Sequence, residues 1–560
     1  MPVAFFASFA ALLGIGASCG DNSSSGPTTP PPVERPSPDA RIVLITDLKG
    51  YLEPCGCTSR PLGGIDRMAA KVASLTAEVP SVFVAAGDLY FNDEDHGGGR
   101  LGDEAETQEL WKAETLAEIL GDMGLVAAAP GALDLSHGLS TFQNLQKSSD
   151  FTLLSGTHRI MPTADAAADA GADAGSDADD GQASDGSSES LLSPTIVREV
   201  GPLKIGFFGV TDFGNAPGGV ETLASPLEAA QSSVAALQQA DVQVVVALVR
   251  GSRRDARRLG SEVDGIDFVI QAGLDEPEAL APSAAGSTVL LHAGRQGQGL
   301  VVLDLYHRGD GTFTDWSDWT VAEERAALSD RIEDLERRIR TWEEENRAAA
   351  DVAQQRGRLA RMKDELEDLQ TPRSIEGNAF NARYEELPPD AERSAAVTRR
   401  VTAYDRRVNA HNQQVFASLT PEPAAEGAPH YVGSAACQSC HQAAFSWWEG
   451  HKHGIAYSTL EEQHKEFNLS CVGCHVTGYL EPGGSTVTHN LDGHLTNVGC
   501  ESCHGPGSAH RVAPGEAGLV SRDTPEEVCV TCHNPEHSDT FVYEGYRAML
   551  LVPGHGRPLE

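Results

Sequence analysis

Residues 437–441 read Cys-Gln-Ser-Cys-His, and the same Cys-x-x-Cys-His pattern returns at 471–475, 500–504 and 529–533. Eight of the eleven cysteines in this 560-residue chain belong to these motifs. The pattern is the attachment motif of c-type haem, in which two thiols form thioethers to the porphyrin and the histidine ligates the iron. A zinc site or a disulfide framework would not require a histidine after each second cysteine. Four motifs therefore predict four covalently bound haems, around which this region folds.

The motifs name the residues expected to hold these haems. The thioether-forming cysteines are predicted to be Cys437, Cys440, Cys471, Cys474, Cys500, Cys503, Cys529 and Cys532, and the proximal iron ligands His441, His475, His504 and His533. Of 19 histidines, 13 lie from His430 onward, so enough remain to supply a second ligand to every iron. Spacing alone does not assign them.

The residues around the motifs resemble a known family. YVGSAACQSCHQAAFSWWEGHKHGIAYSTL, CVGCHVTGYLEPGG and NVGCESCHGPGSAH are similar to the tetrahaem cytochrome c-554-type family associated with hydroxylamine oxidation, over residues 429–560. The resemblance implies distal iron ligands at His453, His510 and His555. It also implies one five-coordinate iron, expected at Cys471/Cys474/His475 unless His489 or His494 closes that site. His451, His464 and His537 are expected to be ordinary surface histidines.

Upstream, short apolar runs alternate with helical stretches between residues 41 and 322. The predicted strands are RIVLITD (41–47), SVFVAAGD (81–88), LKIGFFGV (203–210), VQVVVALV (242–249), DFVIQAG (267–273), TVLLHA (288–293) and GLVVLDL (299–305), with helices at Ile65–Leu75, Glu106–Leu120 and Leu227–Gln239. Continuously apolar strands indicate burial on both faces of a sheet, so we expect an α/β layered domain. Residues 163–190 hold eight acids and no base, which predicts a disordered surface insert.

This domain resembles the 5′-nucleotidase branch of the calcineurin-type metallophosphoesterases, but its metal motifs have changed. The family's Asp-x-His-Gly reads Asp47-Leu48-Lys49-Gly50, and its Gly-Asp is Gly87-Asp88. The Asn-His-Glu motif corresponds to 130–134, the later strand-end histidine to Arg250, and the Gly-His-x-His motif to 272–275. A two-metal hydrolase needs more ligands than two aspartates. The resemblance therefore implies an inactive phosphoesterase site.

Cys55 and Cys57, in Glu-Pro-Cys-Gly-Cys (53–57), form a second feature of this domain. Cysteines this close can bind a metal or form a strained, reducible disulfide. A redox or metal-binding pair and a structural, chemically idle pair both stay open.

Residues 323–417 are predicted to be a helical spacer. Leu328, Ile332, Leu335, Ile339 and Trp342 follow the coiled-coil spacing, and it recurs through Leu359–Leu369 and Val397–Val408. Breaks containing proline favour antiparallel helices, either an intrachain hairpin or a coiled-coil dimer. Residues 418–428 would link the spacer to the haem domain.

The amino-terminal residues indicate where the protein is located, and its net charge indicates which partners it binds. Residues 3–17 form one short apolar run ending before Cys19, which predicts a signal peptide at 1–19, followed by a flexible tether at 20–40. Either Cys19 is lipidated, giving a bacterial envelope lipoprotein, or the signal is a plain secretory one. A net charge of −39 argues against nucleic acid and favours a redox partner with a basic docking face. Membrane contact is expected only through the lipid anchor.

The sequence thus predicts a multidomain protein: an α/β layered domain, a helical coiled-coil spacer and a small, mostly α tetrahaem cytochrome domain at 429–560. We expect an exported cytochrome that transfers electrons. One alternative is an enzyme acting on a small nitrogen or sulfur compound at an open haem. A second is a metal-dependent phosphohydrolase with a redox accessory domain.

Overall fold

The computed structural model describes residues 36–54, 61–92, 98–161, 190–214, 218–274, 280–344, 348–368, 376–489, 494–534, 537–538 and 540–558. Several predictions fall outside these ranges, namely those on Cys19, Cys55, Cys57 and Asp275, on the signal peptide, and on residues 163–189 of the acidic insert. Within the described ranges, no helix has the length and apolarity that a membrane span would need.

Two mixed β-sheets form the centre of the amino-terminal domain. The strands are β1 (Ala40–Thr46), β2 (Ser81–Gly87), β3 (Leu125–Pro130), β4 (Thr152–Leu153), β5 (His158–Ile160), β6 (Thr195–Val200), β7 (Leu203–Thr211), β8 (Val220–Thr222), β9 (Val244–Arg250), β10 (Phe268–Ala272), β11 (Ser283–Ala285), β12 (Thr288–Leu291), β13 (Gly299–Tyr306), β14 (Thr314–Asp315) and β15 (Ala379–Glu386). One sheet has the order β14-β15-β13-β1-β2-β3-β4, and the other has the order β11-β12-β10-β9-β7-β6. The strands β1 to β4 pair in parallel, whereas β13 is antiparallel to both β1 and β15.

The two sheets pack face to face, which explains the continuously apolar strands. In β1, Ile42 and Leu44 belong to the core between the sheets, whereas Val43 and Ile45 belong to the core beneath the helices. Phe207 and Phe208 divide in the same way in the second sheet. Every side chain of such a strand is buried because one face meets the other sheet and the opposite face meets helices. The predicted α/β layered class is confirmed, with two stacked sheets instead of one.

Helices cover the outer faces of both sheets. They are Ile65–Glu78, Gly98–Asp122, Leu139–Lys147, Pro226–Gln239 and Arg253–Glu262. Helix Pro226–Gln239 begins at a capping box, in which Ser225 and Glu228 each accept a hydrogen bond from the other's backbone N–H. The three predicted helices all exist, and the observed bounds extend each of them.

The predicted spacer at 323–417 is wrong in its second half. Residues 379–386 form β15, which pairs with β13 along its whole length, from Gly299↔Glu386 to Tyr306↔Ala379. The helix Ala395–Val415 packs on the α/β domain, where Val397, Val401 and Val408 join its outer core. The coiled-coil spacing there marks a buried helix face, and its partner is the α/β domain.

The first half of the spacer forms a compact unit of its own, Glu324–Ser374. Its helices, Asp318–Glu344 and Ala349–Asp368, are joined by ion pairs from Lys363 to Glu336 and from Arg356 to Glu343. Because a later residue of the first helix, Glu343, pairs with an earlier residue of the second, Arg356, and an earlier one, Glu336, pairs with a later one, Lys363, the helices run antiparallel. These are the contacts of the intrachain hairpin, and the coiled-coil dimer stays a prediction.

The carboxyl-terminal region consists of short helices and turns. The helices are Gln442–Glu449, Ala456–Glu461, Leu469–His475, Cys500–His504, Ser508–Val512, Glu526–Val530 and Tyr543–Leu550. Two short strands, Val552–Pro553 and Gly556–Arg557, lie near its end. The buried apolar clusters that contain residues of this region are small, in contrast to those of the α/β domain.

Candidate functional site

One cavity of about 2500 Å³ is lined by all four Cys-x-x-Cys-His motifs. Every motif cysteine and histidine contributes to its wall: Cys437, Cys440, His441, Cys471, Cys474, His475, Cys500, Cys503, His504, Cys529, Cys532 and His533. Pockets for drug-sized ligands measure roughly 300–1,000 Å³. The cavity therefore has room for several large groups side by side.

Local structure directs each motif toward this cavity. The second motif lies in the helix Leu469–His475, whose N-terminus is capped by the Asn468 side chain. The third motif forms the helix Cys500–His504, in which the two cysteines are three residues apart and so share a face. Its Glu501 is buried and accepts hydrogen bonds from the backbone N–H groups of Val432, Gly433 and Gly507. This carboxylate holds two loops against the third motif.

Several cavity histidines are oriented through Nδ1. His475 Nδ1 donates to the Ala456 carbonyl at 2.6 Å, and His504 Nδ1 donates to the Ser521 carbonyl at 2.6 Å. His555 Nδ1 donates to the Leu550 carbonyl at 2.7 Å. A histidine held this way has a lone pair on Nε2, the arrangement found in metal-ligating imidazoles.

Three of the four motif histidines lie close to a second imidazole. The ring centres are 6.1 Å apart for His441 and His510, and 6.1 Å apart for His504 and His555. For His533 and His453 the separation is 6.3 Å. Two metal–imidazole bonds of about 2.0–2.1 Å, the length known for zinc, plus the distance from each nitrogen to its ring centre, sum to roughly 6 Å. Each pair is spaced to share one iron.

His475 of the second motif differs from the other three. Within the described ranges, no ring contact joins it to another imidazole. His489 and His494, which the sequence offered as ligands for this site, are not among the residues lining the cavity. By contrast, His451, His464 and His537 do line it, although they were expected to be surface histidines. Their sequence neighbourhood held no signal that distinguished them.

Thiols of different motifs approach one another in two pairs. Cys437 lies within hydrogen-bond reach of Cys500, and Cys474 lies within hydrogen-bond reach of Cys532. The first motif is therefore adjacent to the third, and the second motif to the fourth.

Aromatic side chains complete the cavity wall. Trp447 stacks on His555 with ring centres 5.5 Å apart and planes 15° apart, and Phe541 stacks on His533 at 4.9 Å and 11°. Trp448 also lines the cavity and donates from Nε1 to the Val498 carbonyl at 2.9 Å. Aromatic rings whose polar atoms already have hydrogen-bond partners can pack against the flat apolar face of a porphyrin.

The residues present fit c-type haem. Four sets of two thiols and one imidazole converge on one cavity, and three further imidazoles stand opposite. Among the described residues, the buried Nδ1 atom of His510 has no hydrogen-bond partner, as expected of a cavity wall that contacts a non-protein group.

The haem region is fixed to the α/β domain beside the second motif. Gln108, buried in the helix Gly98–Asp122, donates from Nε2 to Asn468 Oδ1 at 3.0 Å and accepts at Oε1 from the Leu469 N–H at 3.1 Å. Asn412 of the helix Ala395–Val415 donates both to Gln108 Oε1 and to the Phe467 carbonyl. These bonds hold the start of the motif-bearing helix in one position.

An ion pair lies where the sequence resemblance implied an inactive phosphoesterase site. Asp88 Oδ2 accepts from Arg250 Nη2 at 3.1 Å, and Asp88 Oδ1 accepts from the Leu133 N–H at 2.8 Å. Asp47 Oδ2 accepts from the Gly273 N–H at 2.8 Å. Asp134 is buried and accepts from three backbone N–H groups. Most carboxylate oxygens here thus already have partners, and within the described ranges no three His, Cys, Asp or Glu side chains form a metal-binding group.

Burial shifts the titration of these carboxyl groups. It raises the pKa of Asp47 to about 6, with the neighbouring Asp88 adding to the rise. Burial likewise raises the pKa of Asp134 to about 8. The Arg250 guanidinium is held charged by Asp88, which helps raise its pKa despite burial. Below about pH 6 the buried Asp47 carboxyl is therefore largely protonated.

The carboxyl-terminal region is similar to cytochromes of the c554 type. Residues 436–505 match the family model described as cytochrome c554 and c-prime. The chain is 30% identical over 151 residues to cytochrome c-554 of Nitrosomonas europaea, a match to 21% of this chain and 63% of that relative. The chain thus spans less than two thirds of the relative's length. The similarity expected from the motifs is confirmed.

Solved structures similar to the α/β domain are of the nucleotidase type. A 5′-nucleotidase precursor from Thermus thermophilus is 14% identical at a TM-score of 0.40, covering 72% of this chain and 67% of that chain. A sulfate thiohydrolase from the same organism is 13% identical at 0.42, covering 72% and 64%. The NAD nucleotidase of Haemophilus influenzae is 14% identical at 0.38, covering 49% and 48%. At these scores nothing about activity follows for this chain.

Proposed function

We propose that this chain is an exported c-type cytochrome that carries electrons through four covalently bound haems. The observation that supports it is the convergence of four Cys-x-x-Cys-His motifs on one cavity, with three pairs of imidazoles 6.1–6.3 Å apart. Two axial imidazoles leave an iron no readily opened coordination position. Such sites suit electron transfer and not the binding of a substrate.

Each set of residues has a defined part in this function. The bound haem irons supply the one-electron chemistry. The motif cysteines would fix the haems covalently, and the paired imidazoles would hold the irons from both sides. The aromatic wall excludes water, which together with the axial ligands sets the potentials.

A second candidate function concerns the second motif. Among the described residues, no ring contact pairs His475 with a second imidazole, although burial and then the neighbouring His537 lower the pKa of His475. If His537 does not ligate the iron, this haem would keep an open position. An open haem could act on a small nitrogen or sulfur compound. We retain this as an enzymatic alternative at Cys471/Cys474/His475.

The third candidate, a metal-dependent phosphohydrolase, is disfavoured. Arg250 pairs with Asp88 at the place where the resemblance implies a metal site, and Lys49, in the loop after β1, adds a second positive charge close to Asp47. A positive group in such a site opposes metal entry. We therefore expect no hydrolysis of nucleotides or phosphodiesters by the full chain with added manganese.

Location and partners follow from the sequence. We propose export to the bacterial envelope, with lipidation at Cys19, and an electron-transfer partner with a basic docking face, because the net charge is −39. Cys55 and Cys57 remain candidates for a redox or metal-binding pair.

Mass spectrometry of the mature holoprotein, combined with a redox titration followed by optical and magnetic spectra, tests the proposal. We expect four haem additions, all within 429–560, with three low-spin irons and one high-spin iron. Replacing Cys500 and Cys503 together by Ser should remove one haem. Fewer than four additions in the natural protein, with free motif thiols, would contradict the proposed function.

A further inference from the structure

One segment of the haem region contacts imidazoles that belong to two different haem sites. It follows the first motif and consists of the helix Gln442–Glu449 and the short helical turn Lys452–Ile455. Between these two elements, the Trp448 carbonyl accepts from the His451 N–H at 2.9 Å, and the His451 carbonyl accepts from the Gly454 N–H at 2.9 Å. These hydrogen bonds hold the connection between the helix and the turn in one conformation.

Aromatic rings of this segment form a continuous series of contacts from one haem site to another. Trp447 stacks on His555, with ring centres 5.5 Å apart, and on His451, with ring centres 4.5 Å apart and planes 27° apart. The His451 ring in turn meets the His453 ring edge-on at 5.0 Å. His555 and His453 are the imidazoles that lie close to the motif histidines of the third and the fourth site. The series therefore joins the ligand surroundings of two irons.

His451 supports His453 by a hydrogen bond as well as by a ring contact. Its Nδ1 atom accepts from the His453 backbone N–H at 3.2 Å, so its own ring proton is on Nε2. This bond fixes the position and the tautomer of a histidine that was expected to lie on the surface. Removing the His451 ring therefore takes both a hydrogen bond and a ring contact away from the residue that bears the fourth site's second imidazole.

We propose that Trp447 and His451 are positioning residues that hold the distal imidazoles of the third and the fourth haem through one stack of rings. The inference rests on the proposed function, because it needs haems at the third and the fourth motif. Groups that contact a metal ligand from outside orient that ligand and tune the metal. A change at His451 should therefore affect one haem, whereas a change at Trp447 should affect two.

Variants of the full-length holoprotein test this inference through the low-spin magnetic signals and the redox potentials of the haems. Trp447→Leu should alter the signals of two haems, because it removes the stacking on both His555 and His451. Loss of such an outer contact weakens metal ligation by about tenfold or more. A tenfold change in affinity for one oxidation state relative to the other corresponds to about 59 mV in potential. Trp447→Phe keeps an aromatic ring and should restore most of the natural signals.

Two further variants complete the test. His451→Ala should alter the signal of one haem only, the same haem whose potential His453→Met moves. Trp111→Leu is the matched control, because Trp111 also contacts a histidine, His411, edge-on at 5.0 Å but does not line the cavity. In that variant every haem signal should stay as it is in the natural protein.

The outcomes separate this inference from the proposed function. Fewer than four haems in the natural protein would contradict the proposed function. Four haems whose signals are the same in Trp447→Leu as in the natural protein would overturn the positioning role alone, and so would a change confined to one haem or equal changes in Trp447→Leu and Trp447→Phe. Where Trp447→Leu fails to assemble, His451→Ala decides, since an unchanged fourth haem in that variant also contradicts the inference.

Discussion

His453 is the residue whose predicted role is most easily measured, because it faces the proximal His533 at 6.3 Å. A Met ligand in its place favours reduced iron, so His453→Met should raise the potential of one haem. We expect a rise on the order of 100 mV, a modest part of the roughly 0.8 V range that axial ligands control. A redox titration measures the change, and mass spectrometry should still find the same number of haems. His307→Met is the control, since His307 follows β13 in the α/β domain and does not line the cavity; it should leave every potential unchanged.

The buried carboxyl of Asp47, after β1, gives a pH-dependent prediction. Burial raises its pKa from 3.8 to about 6, so the stability it gains from protonation is complete below about pH 4 and is lost as pH rises through 6. Above pH 6 the native protein holds a buried charge. Asp47→Asn removes that charge and suits the left-handed backbone at this position, where φ is 47°.

The variant should therefore be more stable than the natural protein at pH 8, by about 1–3 kcal/mol, and little changed at pH 4. Scanning calorimetry at the two pH values measures this. As a control, Asp264→Asn, at an exposed position, should change the free energy of unfolding by the same small amount at pH 4 and at pH 8. Equal effects of Asp47→Asn at pH 4 and pH 8 would argue against a buried charge.

At the level of helices and strands, apolar patterns located the elements but not always their partners. The strands β1, β2, β7 and β13 fall within a residue or two of their predicted bounds, because buried strands are continuously apolar. The strand β15, AFNARYEE, was missed, since its second half is polar and its partner β13 is more than 70 residues away in the chain. The apolar periodicity of Ala395–Val415 correctly predicted a buried helix face. Periodicity does not identify the element that packs against that face.

In the candidate site, too, the sequence predicted the residues but not which of them lie together. The motif cysteines and proximal histidines could be read directly, because the chemistry of attachment fixes their spacing. The sequence does not predict that His441 pairs with His510 or that His504 pairs with His555, because these contacts depend on how short helices fold around the cavity. Only the resemblance to a family had indicated those distal residues. Tyr404 and Glu53 also line the cavity, and this contribution had no signal in the sequence.

The contact between the Gly98–Asp122 helix and the motif-bearing helix Leu469–His475 gives a prediction for these elements. Gln108→Ala removes bonds to Asn468 and Leu469 and leaves buried polar groups unpaired. We expect a loss of about 2–4 kcal/mol in the free energy of unfolding, with the haem count unchanged. Denaturant titration measures the loss, and Gln231→Ala, on an exposed helix face, should cost little. A stability equal to that of the natural protein would show that this contact does not fix the haem region.

In the whole molecule, the α/β domain contains the large apolar cores and the carboxyl-terminal region contains the candidate redox site. The α/β domain has large apolar cores, whereas the haem region has small ones and depends on its cofactors. The α/β domain thus provides a fixed support on which the second motif is docked. In this arrangement the α/β domain has a structural use, independent of any activity.

The boundaries of the α/β domain give the last prediction. A fragment of residues 41–322 lacks β15 and the helix Ala395–Val415, so β13 would expose an unpaired edge and the outer core would lose Val397, Val401 and Val408. We expect this fragment to aggregate and to show no cooperative thermal transition by circular dichroism. Residues 36–418 should fold as a monomer with a single transition.

Replacing 324–374 in the longer fragment by a short Gly/Ser linker is the matched control. These residues form a compact unit of their own, and the chain segments on either side meet where β14 pairs with β15 and the Ala382 N–H donates to Ser317 Oγ at 2.9 Å. A short linker can therefore close this gap at small entropic cost. The shortened fragment should melt as cooperatively as residues 36–418. Cooperative folding of 41–322 alone would instead mean that β15 and the helix after it are additions to a domain already complete without them.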